Sequence, residues 1–218
     1  MSKIQSIIQK IKEPIMICRI IMTVLGVVLT GVSVAIFRHA LLGVDPYNCL
    51  VEGVVNIVHI TYGTIFSAVQ AVLLVVTFIL GRKYIGLGTI LSMFCIGPII
   101  DAFAPLLNFL FPGPGIVLRF VLLIFGFVLL CFAASLYMTS NLGVSAYDAM
   151  ALIMHDRLPR ISFRLCRIMT DVCCVVFGFF YHANIGIATV GTAFCMGPLI
   201  QFFNQTVSVP LLKGRENK

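Results

Sequence analysis

The sequence predicts an all-α, polytopic membrane protein with six transmembrane helices, arranged as two inverted three-helix repeats that each carry one additional short helix. Three observations carry that reading. Hydrophobic residues make up 60% of the 218-residue chain and charged residues only 11%, against about 25% charged in an ordinary soluble domain. Apolar runs of about 20 residues recur, long enough as helices to cross roughly 30 Å of hydrocarbon. The chain also repeats itself at an offset of 100 without a gap: Leu42-Gly43-Val44-Asp45-Pro46-Tyr47-Asn48 returns as Leu142-Gly143-Val144-Ser145-Ala146-Tyr147-Asp148. Arg19 and Gly26 return as Arg119 and Gly126, and Ile85-Gly86, Thr89, Phe94-Cys95 and Gly97-Pro98 return as Ile185-Gly186, Thr189, Phe194-Cys195 and Gly197-Pro198. Roughly 20 of about 85 aligned pairs are identical. Apolar composition would match Leu with Leu by chance, but it would not align arginines, Gly-Pro pairs and two Leu-Gly-Val-x-x-Tyr runs.

Each element follows from its own pattern. Residues 1–14 form an expected cytoplasmic amphipathic leader, with Ile4, Ile7, Ile8 and Ile11 on one helical face and Lys3, Lys10 and Lys12 elsewhere, as suits an anionic leaflet. The apolar run from Pro14 to Phe37 is too long for the apolar region of a signal peptide, so it reads as a true span. Spans are expected at about 15–37, 64–81, 85–110, 116–138, 164–181 and 185–205. Pro46 to Ile60 and Ala146 to His155 are helical in pattern but only about 11 to 15 residues long, a length that suits re-entrant or interfacial helices. The second is closed by His155-Asp156-Arg157 and Pro159-Arg160, which would place charge in lipid if it crossed. The domain plan is therefore the leader, a membrane repeat over 15–110, an external linker at 111–115, a second repeat over 116–210 and a cytoplasmic tail over 211–218.

Basic residues set direction. With six spans and a cytoplasmic N-terminus, Arg82, Lys83, Arg157, Arg160, Arg164, Arg167 and the basic residues of both termini share one side, leaving Arg38 and Arg119 on the other. That agrees with the concentration of Lys and Arg in cytoplasmic loops. Eight spans would move Arg82 and Lys83 outside and weaken the bias. An odd number of spans per unit makes the second copy enter from the opposite face, the inverted arrangement of many secondary transporters.

The candidate functional residues lie at the starts of the short helices and at irregularities inside the spans. Gly43 permits a turn, Asp45 can cap, and Pro46 fits the first helical position, where no N–H is missed. Such a half-helix terminus can hold an anionic group, although plain capping accounts for the same residues. Tyr47, Asn48 and Tyr147 add hydroxyl and amide groups there. Asp45, Glu52, Asp101, Asp148 and Asp171 are acids in or beside apolar segments and are site candidates by default. Asp171 lies one turn after Arg167 and reads as its interfacial partner. Gly97-Pro98 and Gly197-Pro198 are expected helix breaks, followed by the polar Asp101 and Gln201. Arg19 is expected to meet Asp148, and Arg119 to meet Asp45 and Glu52, as cross-repeat gates; snorkelling to headgroups is the alternative. The eight cysteines lack disulfide or ligand spacing and read as small buried hydrophobes. No Walker loop, HExxH, GxSxG, haem or iron–sulfur spacing occurs, so no metal, no cofactor and no enzymatic chemistry are expected. The basic excess concerns orientation, with no nucleic-acid partner.

The Leu42 to Asn48 start, the Gly86-Leu87-Gly88-Thr89 and Ile96-Gly97-Pro98-Ile99-Ile100-Asp101 segments, and the later Leu142 to Asp148 together resemble the YczE/YyaS/YitT group of bacterial integral membrane proteins, over about residues 15–205. The resemblance implies a bacterial plasma-membrane location and carries over neither substrate nor site residues. The functional expectation is a small secondary transporter, or a half-transporter acting as a homodimer, embedded in the lipid bilayer with both termini cytoplasmic. It would move a small polar or anionic solute between the repeats, with proton or sodium coupling open. A channel, a solute-binding subunit of a larger uptake system, and a non-transporting scaffold are the alternatives.

Overall fold

The structure, a computed structural model, describes residues 14–216. The expected amphipathic leader lies outside the described residues apart from Pro14. Among the described residues, nine α-helices follow in order: α1 Pro14–Ala40, α2 Pro46–Val58, α3 Tyr62–Leu80, α4 Leu87–Leu110, α5 Ile116–Thr139, α6 Ala146–Arg157, α7 Phe163–Phe180, α8 Ile187–Phe203 and α9 Val209–Glu216. A 3-10 turn, Arg82–Tyr84, precedes α4, and a π turn, Asn204–Ser208, joins α8 to α9. No strand occurs among the described residues.

Among the described residues, five stretches are long and apolar enough to cross a membrane: Ile15–Ala40, Tyr62–Leu80, Leu87–Leu110, Ile116–Thr139 and Ile187–Gly214. Helix α7, the expected fifth of six spans, carries Arg164, Arg167 and Asp171 within its 18 residues and is not among them. The last apolar stretch runs past the expected end near 205. The π turn keeps the chain helical through Asn204–Ser208, and Pro210 lies in the first turn of α9, where a missing N–H costs nothing. The stretch read as a tail is thus helical as far as Glu216.

The two short helices form as the sequence predicts, with 13 residues in α2 and 12 in α6. At 1.5 Å per residue each is roughly 20 Å long, well under the thickness of a hydrocarbon core. Both bury their N-terminal ends, at Tyr47, Asn48 and Cys49 and at Tyr147, Asp148 and Ala149, while Ile57, Val58 and Leu158 at the far ends are exposed. Asp45 accepts the Asn48 N–H and Ser145 accepts the Asp148 N–H, each as an N-cap.

Helices α1 and α5 form the central pair. Val27, Val34, Ile36 and Phe37 of α1 share one apolar core with Leu122, Leu123 and Leu130 of α5. Gly26 lets α1 approach the α5 backbone so closely that a Cβ there would lie 2.9 Å from the Ala133 carbonyl oxygen. Close approach through small residues is the usual way membrane helices gain packing energy without a hydrophobic drive. Helix α4 packs on α1 and α8 on α5, while α3 packs on α4 and α6 and α7 packs on α2 and α6.

Contacts between the two halves come in pairs shifted by 100 residues. The Ala188 N–H donates to the Leu42 carbonyl (3.2 Å), and the Gly88 N–H donates to the Leu142 carbonyl (2.9 Å). Gly43 and Gly143 make these crossings at φ of 105° and 100°, in the region that favours glycine. At the ends of the short helices, the Asn56 amide donates to the carbonyls of Tyr181 (2.9 Å) and His182 (3.0 Å). One hundred residues on, Asp156 takes the Lys83 ammonium at 2.5 Å and the Tyr84 hydroxyl. The Lys83 ammonium, with help from Tyr84, holds the Asp156 carboxyl below the ordinary range.

The duplication lapses at the Gly-Pro positions. Helix α4 stays α-helical through Pro98, and α8 through Pro198, so the expected breaks at Gly97, Pro98, Gly197 and Pro198 do not form. One lost hydrogen bond does not end a helix whose neighbouring turns are intact. Gly97 serves packing instead: its Cβ would collide with the Gly63 carbonyl, and a Cβ on Gly63 would collide with the Gly97 carbonyl and the Asp101 carboxylate. Asp101 accepts the Gly63 N–H at 3.0 and 3.1 Å from its two oxygens. It thereby caps α3 from outside, where Thr61 makes no side-chain cap. In the second half the equivalent of Gly63 is Phe163, Gly197 has nothing within 4 Å of a built Cβ, and Ser162 caps α7 itself.

Two stability outcomes follow. Gly86→Ala and Gly186→Ala would each drive a methyl into the opposing Leu142 or Leu42 carbonyl, and each should cost about 1–3 kcal/mol. Gly191→Ala, at a position with nothing within 4 Å, should be neutral. Thermal unfolding in detergent reads both, and equal midpoints for the three variants would overturn the crossing. Asp101→Ala should cost about 0.5–2 kcal/mol through the lost cap, with Asp101→Asn keeping most of it by the same measurement.

Candidate functional site

The N-termini of α2 and α6 meet inside the bundle. The rings of Tyr47 and Tyr147, equivalent residues of the two copies, stand 4.8 Å apart and tilted by 34°. A cavity of about 60 Å³ lies there, bounded by Asp45, Asn48, Ser145 and Asp148 of the helix starts. Val34 of α1, Phe66 and Gln70 of α3, Ser92 of α4, Tyr137 of α5, Arg167 of α7 and Met196 of α8 close it. With a water's share of liquid volume at about 30 Å³, it suits an occupant of roughly two or three heavy atoms.

The two halves use the same parts in a different order. In the first, the acid is the cap: Asp45 Oδ1 accepts the Asn48 side-chain amide at 2.5 Å, and its other oxygen accepts the Asn48 backbone N–H at 3.4 Å. The Tyr62 hydroxyl donates to Asn48 Oδ1, and the Arg38 guanidinium lies 3.7 Å above the Tyr62 ring. In the second half the hydroxyl is the cap and the acid follows three residues later. Ser145 Oγ donates to Asp148 at 2.8 Å, and the Tyr137 hydroxyl and the Arg167 guanidinium also donate to this carboxylate. Arg167 Nε then reaches Asp171 Oδ1 at 3.3 Å, Tyr147 donates its hydroxyl to Asp171, and the guanidinium carbon lies 4.5 Å from the Tyr147 ring centre.

This wiring satisfies the charges of the second half with one another. A buried ion pair is tolerated only when its remaining donors and acceptors are filled, and both oxygens of Asp148 are engaged. The first half has no such closure. Among the described residues Asp45 has no ion-pair partner, and Oε1 of the buried Gln70 makes no hydrogen bond.

The expected site residues divide accordingly. Asp45, Tyr47, Asn48, Tyr147 and Asp148 converge on the cavity. Asp101 is a helix cap, Gln201 is exposed, and Glu52, midway along α2, accepts the Asn184 N–H at 3.1 Å. The cross-repeat gates do not form. Arg119 turns to the Pro114 carbonyl at 3.0 Å, and Arg19 makes no ion pair among the described residues, because Asp148 is already held by Arg167 of the same repeat. Sequence reasoning missed Arg167, Gln70 and Tyr137 as site residues. For Arg167 a signal existed, since an Arg and an Asp one turn apart inside an apolar segment are costly unless they face protein.

Among the described residues, no group of three or more His, Cys, Asp or Glu is placed to hold a metal ion, and all eight cysteines are free thiols. What the site offers is polar recognition in a small cavity: two carboxylates, a guanidinium already shared, two side-chain amides and tyrosine ring faces.

Comparison with known proteins places the chain without assigning it an activity. It is 27% identical over 162 residues to an uncharacterized protein of Haemophilus influenzae, covering 74% of this chain and 72% of that one. No solved structure matches. The family of unknown function DUF6198 matches residues 17–205, nearly the whole helical body that carries the paired half-helices, and the chain belongs to that family.

Proposed function

We propose that the protein is a small secondary transporter of the bacterial plasma membrane, moving a small polar solute through the cavity between α2 and α6 without covalent chemistry. In this reading α7 is the sixth span, the two repeats are inverted, and both termini are cytoplasmic. The observation that carries it is the meeting of two half-helix N-termini, one from each copy, at a polar cavity in a chain with five other helices able to cross a membrane. Binding sites of secondary transporters are built in this way, from discontinuous helices at a repeat interface.

Further features support the parts of the reading. The paired crossings at Leu42 and Leu142 and the paired clasps at Asn56 and Asp156 are the pattern that a two-fold relation between repeats produces. Two of the charges that set α7 apart, Arg167 and Asp171, are turned to α6 and are not presented to lipid, which lets the helix serve as a span. The basic Arg82 and Lys83 lie beside the end of α6, where the Arg157 guanidinium reaches the Leu80 carbonyl at 3.4 Å. Basic residues gathered at one end fit a cytoplasmic face. The resemblance to the YczE/YyaS/YitT group supports the plasma-membrane location.

Two measurements test this. Single-cysteine tags beside Pro112 and beside Pro159 should react from opposite faces of intact cells; labelling from one face would end the inverted topology. A thermal-shift screen of the purified chain against small metabolites should give at least one stabilising solute, whose counterflow in proteoliposomes depends on the cavity residues. Silence across the screen, with no counterflow, would favour the scaffold alternative. The lock on the second half is testable as well. Arg167→Gln leaves two buried carboxylates unpaired and should cost about 3–5 kcal/mol, and Asp148→Asn added to it should restore part of the unfolding midpoint. No restoration would separate Arg167 from Asp148 energetically.

A further inference from the structure

The charge arrangement around the cavity indicates what kind of solute it takes, provided the cavity is the solute site proposed above. A half-helix N-terminus ordinarily attracts an anion. Here both positive ends already hold a carboxylate of the chain itself, Asp45 at the cap of α2 and Asp148 in the first turn of α6. The guanidinium beside them is shared between Asp148 and Asp171. An incoming anion would therefore meet two carboxylates and no uncommitted positive group of the lining.

The uncommitted groups of the lining are of the opposite kind; Arg38 Nε, a buried donor without a hydrogen-bond partner, lies over the Tyr62 ring and outside the lining. Asp45 has no ion-pair partner among the described residues. Gln70, only 2% exposed, lines the same cavity, and its buried side-chain oxygen has no hydrogen-bond partner. A buried acceptor left empty costs about 1–3 kcal/mol, a deficit that a donor-bearing ligand would remove. The tyrosine pair adds the third component. The face of Tyr147 already carries one cation, the Arg167 guanidinium at 4.5 Å, and the ring of Tyr47 stands beside it with its hydroxyl turned to the Phe66 carbonyl at 3.4 Å. Aromatic faces attract cations most strongly where water is excluded.

We infer that the cavity binds a small monovalent cation of the ammonium class, its N–H groups donating to the Asp45 carboxylate and the Gln70 carbonyl, with the Tyr47 ring beside it. The cavity of about 60 Å³ limits the occupant to ammonium or a primary amine of a few heavy atoms. Divalent metals are disfavoured by the lack of a three-ligand group among the described residues. The small polar or anionic solute of the sequence reading is narrowed here to a small polar cation.

The test uses the purified full chain, with unfolding midpoints measured in methylammonium chloride against N-methyl-D-glucamine chloride at equal ionic strength. N-methyl-D-glucamine is too large for the cavity. Methylammonium should raise the midpoint saturably. Asp45→Asn retains a good N-cap but removes the charge, and it should weaken methylammonium binding about tenfold or more. Gln70→Met keeps the volume without the acceptor and should weaken it about threefold to tenfold. No methylammonium-specific stabilisation, undiminished stabilisation in Asp45→Asn, equal stabilisation by sodium or potassium, or stabilisation by acetate in place of methylammonium would each overturn the inference. Labelled methylammonium in proteoliposomes separates this inference from the transport reading. Asp45-dependent binding without flux or counterflow would remove the transporter and leave the cation site, whereas counterflow of another solute without methylammonium binding would remove the cation site and leave the transporter.

Discussion

The arrangement depends on one constraint: two helices end inside an apolar body, where no bulk water is available to satisfy their backbone groups. In a hydrocarbon setting each unpaired N–H or carbonyl costs several kcal/mol, so irregular backbone survives only where protein or a polar cavity receives it. The turns before α2 and α6 meet that demand reciprocally. The Leu42 carbonyl is taken by the start of α8 and the Leu142 carbonyl by the start of α4. Gly86 and Gly186 let the two chains come close enough for this. The capping side chains satisfy the helix starts, and the tyrosines that follow them meet between the helices. The cavity exists because these four pieces of chain terminate against one another.

Much of this was readable from the sequence, for a physical reason. A helix boundary is a local matter, and Gly43, Asp45, Pro46 and their counterparts around Ser145 announce it through turn and cap chemistry that needs no knowledge of the fold. Helix length is equally local, which is why the short helices and the long apolar ones fall close to their expected places. Partner choice is not local. Asp148 and Arg19 share a plausible level in an inverted plan, but Arg167 reaches Asp148 first because α6 and α7 form an adjacent hairpin, and sequence periodicity does not rank such alternatives. Gly97-Pro98 was recognisable as unusual, yet the cause lies in the backbone of α3 at Gly63, which no pattern within α4 reveals. Length and apolarity make α7 read as a span, whereas two of its three charges, Arg167 and Asp171, belong to the site.

The two copies have kept the architecture and exchanged the chemistry. Asp45 with Asn48 and Ser145 with Asp148 are the same capping pair with the carboxylate moved from one position to the other, so each half-helix retains one acid at its start. The consequences differ because the surroundings differ. Position 137 supplies a tyrosine hydroxyl to Asp148 where its equivalent, Phe37, supplies none, and Arg167 corresponds to Ser67 in the first half. One half-site is therefore closed by its own ion pairs, and the other retains an acid held by the neutral Asn48, without an ion-pair partner among the described residues, and an amide oxygen without a hydrogen-bond partner.

This asymmetry also determines which helices can move together. Helix α3 is joined to α4 by backbone contact at Gly63 and Gly97 and by the Asp101 cap, so separating them would expose an uncapped N-terminus as well as lose packing. Helix α7 has no comparable seam with α8. It is fastened instead to α6 by Arg167 and to α2 where Gly178 meets Cys49. A rearrangement around the cavity that preserved these joins would move α3 with α4, and α7 with the two half-helices. The ion pairs of Arg167 would then travel intact with α6 and α7. Asp45 rides on α2 and Gln70 on α3, and these helices are themselves tied by the Tyr62 hydroxyl on Asn48 and the Tyr47 hydroxyl on the Phe66 carbonyl, so a motion that drew the two acceptors apart would have to break both bonds. A ligand bridging them would favour the arrangement in which both reach it, which is the differential contact that coupling a solute to a conformational change requires.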